Sequence, residues 1–149
     1  MIDLKNELEI IITKDHSPTI INKKIDETYH SINDALQESM HVFIENGIRR
    51  LNDNTIKVFE VGFGTGLNSA LTMKYALENK NKIYYQTIDL LLIKKDIITE
   101  YFKFFDFEIL QNLQLLNKLK WNNYYSLSEY FGFEKNRTTL QEFKSEDKY

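Results

Sequence analysis

Three of the chain's five glycines alternate with other residues in the run Glu60-Val61-Gly62-Phe63-Gly64-Thr65-Gly66-Leu67-Asn68. Lys57 to Gly62 before it reads as a buried strand, and Leu67 to Leu77 after it reads as a helix, with Leu71, Tyr75 and Leu77 suited to one side. Glycine tolerates positive φ and lets a ligand approach the backbone closely. A helix that starts just past such a turn points unpaired N–H groups and a positive dipole end at whatever sits there. Strand, glycine turn and helix together imply the first β-α unit of a doubly wound sheet, with a ligand at the carboxyl ends of the strands. Lys82 to Asp89, rich in β-branched and aromatic residues, reads as the next strand. A tight turn that binds nothing is the alternative. Three glycines flanked by the acids Glu60 and Asp89 weigh against it.

Elsewhere the pattern is less pronounced. Leu8 to Thr13 reads as a strand, Asp15 to Thr19 as a turn around Pro18, and Thr19 to Lys23 as the returning strand of a hairpin. From Asn33, which can cap a helix, Ala35, Leu36, Met40, Phe43, Ile44 and Ile48 recur near helical spacing, with Gly47 near the C-terminal end. Helices are expected near 95–104 and 107–117. A short helix is expected at Ser126 to Phe131, on the capping signature of Ser126 and Glu129, and a strand at Thr138 to Phe143. The whole chain, 1–149, reads as one domain: an N-terminal hairpin and loop over 1–32, a Rossmann-like part over 33–143 and a frayed tail over 144–149.

Composition removes several function classes. With no cysteine there is no disulfide scaffold, thiolate zinc site or cysteine nucleophile. His30 and His41, eleven residues apart across a loop, match no metal-ligand spacing. A net charge of −3 supplies no strong basic field for nucleic acid. Lys23-Lys24, Arg49-Arg50, Lys94-Lys95 and Lys118/Lys120 read as solvated faces, and Trp121 with Phe102, Phe104, Phe105 and Phe107 as core. No apolar run is long enough for a membrane helix and no leader pattern opens the chain, so a cytoplasmic location is expected.

Two ligand classes compete for the glycine loop. Dinucleotide sites favour G-x-G-x-x-G, whereas the spacing here is G-x-G-x-G with Leu67 and Asn68 following. With Glu60 ahead of it, this loop resembles that of Rossmann-like methyltransferases that use S-adenosylmethionine. That cofactor carries an ammonium group in place of a pyrophosphate and rewards a nearby carboxylate. Glu60, Gly62, Phe63, Gly64, Gly66 and Asn68 are its candidate contacts. Asp89, 23 positions after Gly66, stands where a ribose-binding acid is expected, at ~20 residues. A side chain at Gly64 is expected to fill space the ligand needs. A nicotinamide oxidoreductase and a non-catalytic interaction module remain the alternatives.

A wider set of residues narrows the choice. Asp15-x-Ser17-x-Thr19, then Tyr29-His30-Ser31, Ala35-Leu36-Gln37-Glu38-Ser39 and His41-Val42-Phe43, then the glycine string occur in that order. This resembles the MnmC-like methyltransferase family, including its stand-alone MnmD-type members. The resemblance implies a Rossmann-like, S-adenosylmethionine-dependent enzyme that methylates the aminomethyl group of a tRNA wobble uridine to 5-methylaminomethyl-2-thiouridine. Tyr29, His30, Ser31 and Glu38 become candidates for the substrate side. The sequence departs from the family pattern at four places. His16 and Asp34 stand where the family has glycine, Asp89 where it has glutamate, and Leu91-Leu92 where it has an aromatic or apolar residue and then proline. No proline follows Pro18, so the family's D-x-F-x-P-like segment, with its catalytic aspartate, is not found. The chain thus reads as the N-terminal portion of the family domain, which predicts little methyl transfer by itself and an uncovered sheet edge open to a partner or a second copy.

Overall fold

The computed structural model describes residues 7–144. Its first part is a three-stranded antiparallel sheet of β1 (Leu8–Ile12), β2 (Pro18–Asn22) and β3 (Glu27–Thr28), in that order. The expected hairpin is therefore present, extended by two residues of a third strand. Its turn is built around Asp15, whose carboxylate accepts hydrogen bonds from the Thr13 and Ser17 hydroxyls, the Ser17 N–H and, at 3.1 Å, the Gln37 N–H. The Ser17 hydroxyl accepts from the Leu36 N–H at 3.0 Å. Two orphan donors at the start of α1 (Ala35–Ser39) are thus capped from the hairpin turn. This corrects the local cap expected at Asn33: no side chain at the helix's own N-cap residue, Asp34, bonds its donors.

The glycine-to-histidine departure at position 16 has a measurable cost. His16 adopts φ +63°, the left-handed region. Asp34, at φ −149°, is ordinary extended backbone and carries no such strain. A left-handed residue other than glycine costs about 1–2 kcal/mol, and the extra unfolded-state entropy of glycine takes back about 0.5–1 kcal/mol. His16→Gly is therefore expected to stabilise the fold by about 0.5–1 kcal/mol. Chemical denaturation checks this, and a lowered midpoint would contradict it.

Past α1 the helix does not continue regularly to Gly47. It widens into a π-helical stretch, Met40–Glu45, and ends in a 3-10 turn, Ile48–Arg50. There follow β4 (Thr55–Val61), α2 (Leu67–Asn79), β5 (Lys82–Ile88), α3 (Lys95–Phe102), α4 (Phe107–Lys118), β6 (Asn123–Ser126) and β7 (Phe131–Asn136). The second sheet has the order β4-β5-β7-β6, with β4, β5 and β7 parallel and β6 antiparallel to β7. The chain is thus mixed α/β with a parallel-containing sheet.

The short helix expected at 126–131 and the strand expected at 138–143 are both replaced. Residues 123–136 form a hairpin instead, and Phe143 N–H closes a turn onto the Thr139 carbonyl at 2.9 Å. Alternation explains the hairpin. Phe131, Phe133 and Lys135 all point inward, which a strand allows and a helix does not. The capping signature at Ser126 was outweighed by the burial of two phenylalanines, each worth about 1.5–3 kcal/mol.

One face of this sheet makes the main core. Ile56, Ile83, Tyr85, Phe131 and Phe133 meet Leu67, Leu71 and Met73 of α2 and Ile109, Leu113 and Leu116 of α4. Leu77 is turned outward, against its expected place beside Leu71. Phe104 and Phe107 are exposed as well, while Phe102, Phe105 and Trp121 are partly buried against the core. Ile98 and Tyr101 of α3 pack with Ile20, which ties the N-terminal sheet to the rest. Residues 145–149 of the expected frayed tail lie outside the described residues. Among the described residues no helix is long and apolar enough to cross a membrane, and no group of His, Asp or Glu could hold a metal.

Candidate functional site

The parallel register brings three strand ends level. Val61 pairs with Ile88, and Ile88 with Asn136. The Gly62 N–H donates to the Ile88 carbonyl at 2.8 Å, and the Asp89 N–H to the Asn136 carbonyl at 3.1 Å. Gly62, Gly64 and Gly66 all take positive φ, +93°, +55° and +86°, so each glycine of the motif is demanded by the backbone path. Their surroundings differ. A Cβ on Gly62 would meet nothing within 4 Å. One on Gly64 would lie 3.0 Å from the Tyr29 ring, so the space beside Gly64 is filled by Tyr29 and the open side of the loop is at Gly62. One on Gly66 would lie 2.7 Å from the Phe63 ring.

Asp89 ties this loop to the end of β5. One carboxylate oxygen accepts from the Gly64 N–H and the other from the Leu91 N–H, each at 2.9 Å. Tyr29 stands close to both. Burial, and then the charge of Asp89, raise its pKa.

Glu60 is the most unusual group of the loop. Its side chain lies under the loop, where Asn68 of α2 donates to Oε1 at 3.1 Å. Burial pushes its pKa up to about 7, against the opposing effect of Asn68, Thr87 and Tyr85 beside it. Glu60 Oε2, Asn68 Oδ1 and Thr87 Oγ1 are buried without a hydrogen-bond partner. Two of these three atoms are pure acceptors when Glu60 is ionised, and leaving them unpaired costs about 1–3 kcal/mol each. The cluster therefore favours a ligand rich in donors.

A cavity of about 320 Å³ runs along this cluster, lined by Tyr29, His30, Glu60, Gly62, Phe63, Gly64, Asn68 and Tyr85 among others. Of the eleven sequence candidates seven line it; Gly66 lies behind the loop, and Asp89 ties the loop to the end of β5 without lining this cavity. His30 is fixed through its backbone, with N–H donating to Thr19 Oγ1 at 3.0 Å. Burial lowers its imidazole to about 4, so the ring is neutral at physiological pH. Ser31 and Glu38 lie outside the cavity, where the Ser31 N–H donates to Glu38 Oε2 at 3.2 Å on the surface.

Three residues not singled out from the sequence matter here. Tyr85 and Thr87 face Glu60 from β5, and strand alternation from the buried Ile83 would have pointed to both. Lys135 is 1% exposed, its Nζ donating to the Leu116 and Asn117 carbonyls at 2.8 and 3.2 Å. It neutralises the negative end of α4. Its signal was the alternation in Phe131-Gly132-Phe133-Glu134-Lys135, visible only once that stretch is read as a strand.

No protein-family model matches the sequence. Over 78 residues, 48% of this chain, it is 36% identical to the tRNA 5-methylaminomethyl-2-thiouridine biosynthesis bifunctional protein MnmC of Leptospira interrogans. Over 102 residues, 65% of this chain, it is 30% identical to the protein of the same name from Campylobacter jejuni. These matches span only 12% and 16% of the relatives' own length. Among solved structures, MnmC2 from Aquifex aeolicus is similar in fold, with a TM-score of 0.64 and 24% identity over 90% of this chain and 43% of that one. These likenesses, added to the ordered motifs, support the resemblance to the MnmC-like family.

Proposed function

We propose that this chain is a Rossmann-like, S-adenosylmethionine-binding domain of a tRNA-modifying methyltransferase, acting on the aminomethyl group of a wobble uridine. The observation that carries this reading is the set of buried, unpartnered oxygens of Glu60, Asn68 and Thr87 beside the glycine loop. An ammonium group brings three N–H donors and a positive charge to two acceptors and a carboxylate, whereas a pyrophosphate would bring like charge to Glu60. Glu60 and Asn68 would hold the amino-acid end, the open side of Gly62 would admit the ligand, and Asp89 would meet the ribose. Bound S-adenosylmethionine supplies a methyl group on a positively charged sulfur, open to attack by an amine. The protein contributes alignment and exclusion of water. Tyr29 covers the loop at Gly64, and the neutral His30 can accept a hydrogen bond from a substrate amine without adding charge.

Calorimetry with S-adenosylhomocysteine and with NAD tests the reading. Binding to the first alone is expected, and binding to NAD alone would sink it. Asp89→Ala should weaken the interaction at least tenfold, since a hydrogen bond to a charged group contributes about 1.5–3 kcal/mol.

The affinity should also depend on pH. Glu60, raised to about 7 in the free protein, must lose its proton to pair with an ammonium. Affinity is therefore expected to rise about tenfold from pH 6 to pH 8 and to level off above. In the free protein the sign is opposite. A raised carboxyl favours the fold below about pH 4.5, and that contribution is lost as pH rises through about 7. Glu60→Gln should flatten both profiles. A wild-type affinity independent of pH would separate Glu60 from the ligand.

A further inference from the structure

Tyr85 belongs to the core and also lines the cavity at the glycine loop, beside Glu60. It is 2% exposed, with its ring stacked on Phe133 at 6.1 Å between centres and tilted against Phe131 at 6.2 Å. A phenylalanine would make the same ring contacts. The buried hydroxyl costs desolvation unless it finds a partner. In the parallel register Glu60 lies opposite Thr87 and Val58 opposite Tyr85, so Tyr85 stands diagonal to Glu60 on the same face of the sheet. Hydrogen bonding with Glu60, and the charge of Glu60, both act on the phenol. Tyr84, the preceding residue, points to the opposite face, where its hydroxyl donates to Glu134 Oε2 at 2.7 Å.

Two elements thus address one carboxyl. Asn68 of α2 donates to Oε1 at 3.1 Å, and Tyr85 comes from β5 with its ring held by two phenylalanines. Burial and the charge of Asp89 drive Glu60 towards its neutral form, whereas Tyr85 acts in the other direction. A carboxylate only accepts, so a hydroxyl that donates to it favours the charged form. The donor itself does not titrate near neutrality, because burial, and then Glu60, raise its pKa well above the ordinary 10. Tyr29 and His30 face the same cavity from the segment before α1. Burial keeps His30 neutral, and burial with the charge of Asp89 keeps Tyr29 a phenol. We propose that Tyr85 is a positioning residue, whose fixed hydroxyl holds Glu60 as the carboxylate that an ammonium ligand requires. The ligand half of this proposal rests on the reading of the glycine loop given above. The coupling of Tyr85 to Glu60 does not.

Infrared spectra of the ligand-free full chain, each with its Glu60→Gln counterpart subtracted, follow the protonated carboxyl of Glu60 across about pH 5 to 9. The wild-type midpoint is expected near 7. Tyr85→Phe keeps the ring and should raise that midpoint by about one pH unit. Affinity for S-adenosylhomocysteine should then fall about fivefold at pH 7 and recover by about pH 9. Tyr84→Phe, which removes a hydroxyl from the other face of the same strand, should move neither quantity. A second measurement needs no variant of Tyr85: the NMR signal of its ring Cζ should step with the Glu60 midpoint and lose that step in Glu60→Gln. An unmoved midpoint in Tyr85→Phe, an equal movement in Tyr84→Phe, or a Cζ signal blind to Glu60 would overturn the proposal. So would an affinity loss of the same size at every pH, which would leave Tyr85 a packing role only. A midpoint that moves in Tyr85→Phe while wild type binds no S-adenosylhomocysteine at any pH would uphold the coupling and overturn the ligand reading.

Discussion

Asp15→Ala is expected to destabilise the protein by about 3 kcal/mol, a drop of roughly 6–12 °C in Tm for a chain of this size. The carboxylate of Asp15 accepts from two hydroxyls and two backbone N–H groups, one of them at the start of α1. Its removal strips the turn of its centre and the helix of a cap at the same time. Alanine cannot replace either function, and the N–H groups of Ser17 and Gln37 lose their acceptor. Burial pushes the Asp15 carboxyl up, but the hydrogen bonds from Ser17, Thr13 and the two backbone groups outweigh it and hold it at about 2. Its contribution is therefore present above the unfolded value of 3.8 and is lost as pH falls through about 2. Thermal melts at pH 7 and across pH 2–5 check both points. The variant should lack the acid-dependent loss that the wild type shows. A variant that melts within 2 °C of wild type would show that the bonds at Asp15 add little.

Gly66→Ala is expected to cost about 2–4 kcal/mol and to remove ligand binding at the loop. Strain at φ +86° is one part of the cost. The other is contact: the new methyl would lie 2.7 Å from Phe63 Cζ and 3.2 Å from Asn117 Nδ2. Neither neighbour can yield cheaply. The Phe63 ring is held edge-on by Trp121 at 5.8 Å and by Lys135 over its face. Asn117 Nδ2 donates to the Thr65 carbonyl of the same loop at 3.0 Å. Gly62→Ala is the control, because it carries positive-φ strain without any atom within 4 Å. Urea denaturation should place Gly66→Ala well below Gly62→Ala. Equal midpoints would remove the contact argument.

The segment from Thr55 to Ile88 could be read from the sequence because its signals are local. A β-branched and aromatic strand, three glycines at positions that need positive φ and a helical run each specify their own backbone, and nothing distant contradicts them. The same holds for the hairpin turn at Asp15 to Pro18, and the left-handed φ of His16 follows from the glycine expected there. What the sequence could not decide was every outcome set by a distant partner. Ser126 and Glu129 carry a helix signature, yet pairing of residues 131–136 with β5 buries Phe131 and Phe133 and makes a strand. Asn33 offers a local cap, yet Asp15 and Ser17, about twenty residues earlier, take that place. The proton affinity of Glu60 depends on how deeply β4, β5 and α2 bury it. Lys95, Lys118 and Lys135 share a cavity only because α3, α4 and β7 converge there. Local conformation is a property of a few neighbouring residues, whereas burial, charge environment and capping by remote groups come into being only when the chain folds back on itself.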